Sequence, residues 1–288
     1  NVRDGERLNP IIAHHLSRQL LAGIAHLAEA GIVHSDLKIE NLLVEPVESS
    51  TVLHLRIADF GTAMETGGRL RQYGHTYEYR APEIIMGHRF GTGKITPAAD
   101  VWSAATIIFE MHMSRGFALF ESPGGRRSSL SLSTRESYVN DHEHLQRIAS
   151  LFGAFGKRSI KNVRDHFTSR GELRREDDCP PPPRTSLAAL FIGEGGGARE
   201  GERLEKFLTP LFTYSPGRRR SAKDALADAF MHAFAPVPEE SKIFPTQKKG
   251  GGLPAAARDA VSQAEAESGA SAEAEEGEKG ETRSAANE

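Results

Sequence analysis

The stretch His34-Ser35-Asp36-Leu37-Lys38-Ile39-Glu40-Asn41-Leu42-Leu43 decides how this chain is interpreted. It places a carboxylate at Asp36, a cation at Lys38 and a carboxamide at Asn41 within six residues. An apolar-periodic segment precedes the stretch and a β-rich segment closes it, so Asp36 is predicted on a loop between a helix and a strand. Such loops commonly carry groups that must meet a substrate. Asp36 is therefore a candidate general base.

A second polar group, Asp59-Phe60-Gly61, follows the next β-rich segment, residues 52–58. That segment and residues 42–44 flank a polar turn and predict a small hairpin. The hairpin would bring Asp59 across from Asn41. Hard cations such as Mg²⁺ take a few carboxylate or amide oxygens and complete their shell with water and phosphate. The pair is thus a candidate Mg²⁺ site.

The segments around these two groups are mostly helical in pattern. Asn9-Pro10 predicts a helix start, and Gly31 suits a left-handed cap at its end. A second helix from Thr96 to Phe109 is apolar nearly all round, which predicts a buried central helix. A third starts at Ser221 with a capping-box pattern. The expected fold class is mostly α with one small β-hairpin, an α+β body.

Composition excludes several classes of protein. The chain has 288 residues, 38% of them hydrophobic, and a formal net charge of −3, which argues against a general polyanion binder. Its single cysteine excludes an internal disulfide framework. No apolar run reaches the roughly 18 residues of a membrane span, and no secretory signal opens the chain. We expect an intracellular protein, cytoplasmic or nuclear or both, that is a monomer and contacts neither membranes nor nucleic acid.

Two parts of the chain differ from this pattern. Residues 237–288 form a linker and an acidic tail rich in Ala, Glu and Gly, too polar to bury a core, and we expect this tail to be disordered. Residues 1–236 are the predicted domain. Within it, residues 121–140 and 170–202 are rich in turn-forming residues and are expected to be surface inserts.

Five segments in order closely resemble motifs of protein kinases. They are the catalytic loop at 34–43, Asp59-Phe60-Gly61, Tyr79-Arg80-Ala81-Pro82-Glu83, Asp100-Val101-Trp102-Ser103, and residues 215–222. The resemblance covers residues 9–236 and implies the large C-terminal lobe of the kinase fold. No Gly-rich loop or ATP-binding lysine lies upstream, so we expect the N-terminal lobe to be absent and this chain to be inactive alone.

By that resemblance, Asp36 accepts the proton of a substrate hydroxyl and Lys38 stabilises the γ-phosphate of ATP. Asn41 and Asp59 would bind Mg²⁺, and Leu43 would lie beneath adenine. The resemblance also implies that Thr76 supports Asp36 and Lys38, which favours Ser/Thr over Tyr as the phosphate acceptor. Residues with implied structural roles are His34 packed beside Phe60, Asp100 holding the backbone near His34, and Glu83 in a buried ion pair with Arg219.

Within the family, Arg80 after Tyr79 is typical of the CMGC branch, which contains the cyclin-dependent, MAP, DYRK-like and SR-protein kinases. Residues 99–105, 109–111, 119–121, 141–153 and 167–173 most resemble SR-protein kinases, which phosphorylate serines in Arg/Ser-rich proteins. Ser35 replaces the arginine that usually reads a phosphorylated activation loop, so we expect activity that is not gated in that way. Ile39 replaces the usual proline.

The substrate and even the activity stay open at this point. Glu143 matches an acidic docking position for arginine-rich substrates, but Ser150 occupies the next one, and Arg126-Arg127 nearby have the wrong sign. One hypothesis is a serine/threonine kinase using ATP and Mg²⁺ on a protein substrate. The other is a non-catalytic, pseudokinase-like module that binds partner proteins through its helical surface.

Overall fold

A computed structural model of the protein describes residues 7–46, 53–69, 75–88, 94–114, 116–120, 134–155, 166–168, 173–174 and 183–232. Its helices are α1 (Pro10–Glu29), α2 (Pro82–His88), α3 (Ala98–His112), α4 (Thr134–Phe152), α5 (Leu187–Gly193), α6 (Ala198–Leu208) and α7 (Ala222–Leu226). Its strands are β1 (Ile32–Val33), β2 (Leu42–Pro46), β3 (Leu53–Ile57) and β4 (Met64–Glu65). Short 3-10 turns cover Ile39–Asn41, Tyr77–Tyr79, Thr209–Phe212, Pro216–Arg218 and Ala229–His232.

Helix α1 starts where the sequence predicts it. The Asn9 side chain accepts a hydrogen bond from the Ile11 N–H at 2.9 Å, and Pro10 fills the first helical position. Gly31 follows the helix with φ +76°, a conformation that glycine adopts without a Cβ penalty. These caps fix the direction in which the chain enters the loop that carries Asp36.

Helix α3 is the centre of the core, as its all-round apolar pattern predicts. Trp102 is fully buried and packs edge-on against Phe212, with ring centroids 4.9 Å apart. Phe120 and Phe152 lie at 6.2 and 6.0 Å from the same ring. Truncating a residue packed in this way typically costs about 3–5 kcal/mol of stability. The helix is therefore a rigid platform for loops attached to its two ends.

Two small antiparallel sheets flank α1, where the sequence predicts one hairpin. The predicted hairpin is β2–β3, with Leu42 opposite Ile57. The second sheet pairs β1 with β4, Ile32 opposite Glu65. Its two-residue strands are too short to show an alternating pattern, so pattern reading missed them. Together the sheets hold the loop after β1 and the turn after β3 side by side.

Helices occupy part of the predicted surface inserts where the structure describes them, and the expectation that these are inserts stays a prediction. Residues 134–140 open α4, and residues 183–202 contain α5 and the start of α6. Leu187 and Phe191, four residues apart on α5, are both buried. A Cβ at Gly196 would lie only 2.2 Å from the Phe191 ring, so this glycine allows close packing instead of marking a loose loop. The composition hid two helices with short apolar faces.

The expectations about the rest of the inserts and about the acidic tail concern residues that the structure does not describe. Residues 121–133, 175–182 and the tail from 237 to 288 are in that class. Among the helices that the structure does describe, none has the length and apolar character needed to cross a membrane.

Candidate active site

The carboxylate of Asp36 is held on both of its oxygens. The Thr76 backbone N–H and hydroxyl donate to Oδ1 at 2.8 and 2.6 Å. The Lys38 ammonium lies 3.2 Å from Oδ2. The structure therefore brings together the predicted base, the predicted phosphate-stabilising lysine and the predicted supporting threonine.

These contacts keep Asp36 ionised. Burial opposes the charge, but the two hydrogen bonds from Thr76 and the neighbouring Lys38 outweigh it and lower the pKa of the carboxyl. Oδ1 is occupied by Thr76, so Oδ2 is the oxygen beside which a substrate hydroxyl can be aligned. The geometry suits a carboxylate that orients a hydroxyl and accepts its proton.

Asp100, in the first turn of α3, anchors the loop that carries Asp36. Its two oxygens accept the N–H groups of His34 at 2.7 Å and Ser35 at 3.0 Å. Ser35 has φ +71°, in the left-handed region that non-glycine residues seldom adopt. Burial raises the pKa of Asp100 to about 7, although the two N–H groups act in the opposite direction. Asp100, a carboxylate whose burial is unfavourable in free energy, thus fixes the left-handed backbone turn at Ser35.

His34 has the packing role that the resemblance implies. It is fully buried, its Nε2–H donates to the Ala58 carbonyl at 2.9 Å, and its ring meets Phe60 edge-on at 4.9 Å. Burial lowers its pKa, more than the nearby carboxylates raise it. A neutral, fully bonded imidazole is a structural link between β3 and the Asp36 loop.

Asn41 and Asp59 fit the chemistry of a Mg²⁺ site. Asn41 donates its side-chain amide to the Asp36 carbonyl at 2.9 Å, so its own Oδ1 is the group left for a cation. Its carbonyl accepts the Ala58 N–H at 2.9 Å, which ties it to the turn that carries Asp59. Asp59 is exposed, with φ +63°. One amide and one carboxylate oxygen match an ion that keeps water and phosphate ligands.

Leu43 and the Glu83–Arg219 pair complete the set of predicted site residues. Leu43 lies on β2 with half of its surface exposed, so its contact with adenine stays a prediction. Arg219 forms two hydrogen bonds to the Glu83 carboxylate at 2.6 and 2.7 Å. It also donates to the Ala98 carbonyl at 2.6 Å, which joins the pair to the start of α3.

Comparison with known proteins decides the family. The family model for the protein kinase domain matches residues 2–231. The chain belongs to the protein kinase family. It is 31% identical over 199 residues to mouse SRSF protein kinase 3, an alignment that covers 67% of this chain and 32% of that protein.

Other relatives place this kinase domain in the CMGC branch. It is 31% identical to the dual specificity protein kinase lkh1 of Schizosaccharomyces pombe, covering 79% of this chain and 32% of that protein. It is 29% identical to human cyclin-dependent kinase 11A over 79% of this chain and 25% of that protein. The chain spans about a third of the length of the SRSF kinase relatives that it matches.

The kinase match overturns one expectation about the fold. The sequence was expected to hold the large lobe only, with the N-terminal lobe absent, but the match begins at residue 2. The four strands of the described residues lie in this N-terminal part, before residue 66. The expectation depended on finding no Gly-rich loop or ATP-binding lysine ahead of the catalytic loop, whereas the family model matches from residue 2 onward. The expected inactivity of the chain depended on the same absence and loses its support.

The sequence analysis missed an acidic group beside the kinase catalytic loop. Glu110, on α3, is buried and accepts the Tyr79 hydroxyl at 3.0 Å and the Leu119 N–H at 2.9 Å. Burial, together with the negative charges of Glu40 and Glu78, raises its pKa to about 7, although the two hydrogen bonds act in the opposite direction. Each glutamate lies in or beside a quoted motif. The signal was present, but only the fold shows that the three charges are close.

Proposed function

We propose that this protein is a serine/threonine protein kinase that transfers the γ-phosphate of ATP to a protein hydroxyl. The observation that carries the proposal is the Asp36 carboxylate with Thr76 on one oxygen and Lys38 on the other. A carboxylate fixed in this way can align a hydroxyl and accept its proton. Thr76 is the residue that favours a Ser or Thr acceptor by family resemblance.

The balance of the reaction follows from these positions. The hydroxyl oxygen of the substrate forms a bond to the γ-phosphorus while the bond between that phosphorus and the oxygen bridging to ADP breaks. ADP leaves with the electron pair of the broken bond. The hydroxyl proton passes to Asp36 Oδ2. Lys38, whose ammonium lies 3.2 Å from that oxygen, provides positive charge where the transferred group carries negative charge. Asn41 and Asp59 would hold Mg²⁺, which neutralises phosphate charge when bound.

The proposed substrate is a protein with arginine near the acceptor serine. Its support is the group of Glu40, Glu78 and Glu110, close enough for their charges to shift the pKa of Glu110. The negative charges of Glu40 and Glu78 attract a guanidinium and repel an acidic peptide, and Glu110, whose pKa is about 7, gains negative charge when a cation approaches. The docking position predicted at Glu143 and Ser150 adds little, because the Ser150 hydroxyl donates to the Arg147 carbonyl within its own helix.

A transfer assay with the purified natural protein tests this function. With labelled ATP and Mg²⁺, we expect phosphate on an Arg-Ser repeat peptide and a loss of about 10³-fold in kcat for Asp36→Asn. The matched peptide with each arginine replaced by glutamate should react at least about tenfold more slowly. Equal rates on the two peptides would reject the substrate class alone. No transfer above the Asp36→Asn level would overturn the kinase proposal and favour the non-catalytic binding module.

A further inference from the structure

A second site lies where the start of α1 meets the end of α3 and helices α5 and α6. The residues around it line a half-open cavity of about 280 Å³. None of them belongs to the kinase motifs described above. The residues that matter are Arg7, Leu8, Ala13, His112, Phe191 and Glu200. A cavity of this size, close to the lower end of known ligand pockets, suits a small molecule.

Arg7 is fixed in place but keeps most of its donors. Its guanidinium lies 4.4 Å from the centroid of the Phe191 ring, and Nη2 donates to the Phe191 carbonyl at 2.9 Å. In the described part of the chain no carboxylate forms an ion pair with it. A pre-oriented guanidinium with unused N–H groups is suited to bind a carboxylate through two parallel hydrogen bonds.

His112, at the end of α3, offers a complementary group. It is only 7% exposed, and its Nδ1–H donates to the Ile108 carbonyl at 2.8 Å. Burial and then the charge of Arg7 lower its pKa, so the ring is neutral and Nε2 carries a lone pair. Nε2 has no hydrogen-bond partner among the residues described in the structure. A buried acceptor that lines a cavity is suited to a ligand hydroxyl.

The remaining residues that line the cavity indicate the charge of the ligand and the character of its apolar part. Leu8, Ala13 and Phe191 are apolar and line the same space. Glu200, exposed in the first turn of α6, adds a negative charge at the rim. Arg7, which has no ion-pair partner in the described part of the chain, and Glu200 at the rim favour a ligand with a single negative charge over a dianionic phosphate.

We propose that this cavity binds a small monocarboxylate with an aromatic or apolar body and a hydroxyl group. The carboxylate pairs with Arg7, the hydroxyl donates to Nε2 of His112, and the body packs between Leu8, Ala13 and Phe191. The site stands apart from Asp36, so the proposal does not depend on kinase activity.

Calorimetric titration of the purified protein with 4-hydroxyphenylacetate tests the site. We expect saturable binding, at least about tenfold weaker for the neutral amide 4-hydroxyphenylacetamide, which cannot pair with Arg7 as an anion. Arg7→Ala should weaken binding of the acid about tenfold or more, and Glu200→Gln should tighten it a few-fold. Circular dichroism and thermal unfolding serve as folding controls for each variant.

A double comparison isolates the histidine. Phenylacetate, which lacks the hydroxyl, should bind the wild type and His112→Phe with equal affinity, whereas 4-hydroxyphenylacetate should lose affinity in the variant. Absence of saturable binding by the folded wild type would overturn the proposal. Unchanged affinity of the acid in folded Arg7→Ala would do the same, as would weaker binding by Glu200→Gln.

Discussion

Helix α3 carries a buried carboxylate near each end, and the two differ in what surrounds them. Asp100 accepts two backbone N–H groups of the Asp36 loop. Glu110 accepts a side-chain hydroxyl, Tyr79, and the Leu119 N–H. Burial raises the pKa of each to about 7. Only Glu110 also has other glutamates close enough to matter, Glu40 and Glu78.

This difference in surroundings indicates two different roles for a buried carboxylate. A carboxylate paired with backbone N–H groups of one loop fixes the shape of that loop. A carboxylate within an acidic group responds to any positive charge that approaches it. We therefore expect Asp100 to act on the position of Asp36, and Glu110 to act on the charge of the substrate.

The largest effect is expected for Asp100→Ala. The substitution leaves the N–H groups of His34 and Ser35 buried without an acceptor, at a cost of about 2–3 kcal/mol. It also releases the strained turn at Ser35, so kcat should fall about 100-fold with the KM for ATP little changed. Denaturant unfolding and steady-state kinetics measure the two effects. The matched control is Glu29→Gln at an exposed ion pair, which should alter neither.

The next largest effect is expected in how the free energy of unfolding varies with pH. The folded pKa of Glu110, about 7, lies above its ordinary value of 4.5, so folding takes up a proton between these values. Its contribution to stability is present below pH 4.5 and is lost as the pH rises through 7. Relative to the wild type, Glu110→Gln should therefore gain about 3 kcal/mol between pH 4.5 and 7.5.

Subtracting the stability-versus-pH curve of the wild type from that of Glu110→Gln isolates the titration of Glu110. The buried histidines His34, His112 and His144 have lowered pKa values, so they destabilise the fold as the pH falls below 6.5. They are present in both proteins and cancel in the difference. A difference that stays flat with pH would show that Glu110 titrates normally in the folded protein.

The smallest effect should appear in substrate affinity. Glu110→Gln keeps a hydrogen-bonding group next to Tyr79 but removes one negative charge. The KM for an Arg-Ser peptide should rise about three- to fivefold with kcat unchanged, and added salt should shrink the difference. Asp100→Asn offers the contrast, because a group that shapes the loop should change kcat first. Equal shifts in KM for both variants would remove the distinction between the two carboxylates.

The parts of the site that local chemistry defines could be predicted from the sequence. Asp36, Lys38 and Asn41 lie on one short loop, where spacing alone restricts how they can be arranged. The capped start of α1 and the all-apolar α3 were equally readable, because caps and periodicity are local signals. The helices α5 and α6 were not, since their short apolar faces are interrupted by glycines that read as a loop.

The catalytic loop, the hairpin that follows it and the central helix could be predicted from the sequence alone, because each depends on residues close along the chain. The folded arrangement was needed to show that the charges of Glu40 and Glu78 act on Glu110, and that Arg7 shares a cavity with His112. Burial and the approach of distant charges set the pKa of Glu110 and leave an acceptor at His112 without a partner in the described chain. Neither burial nor distance across the fold is encoded in spacing along the chain.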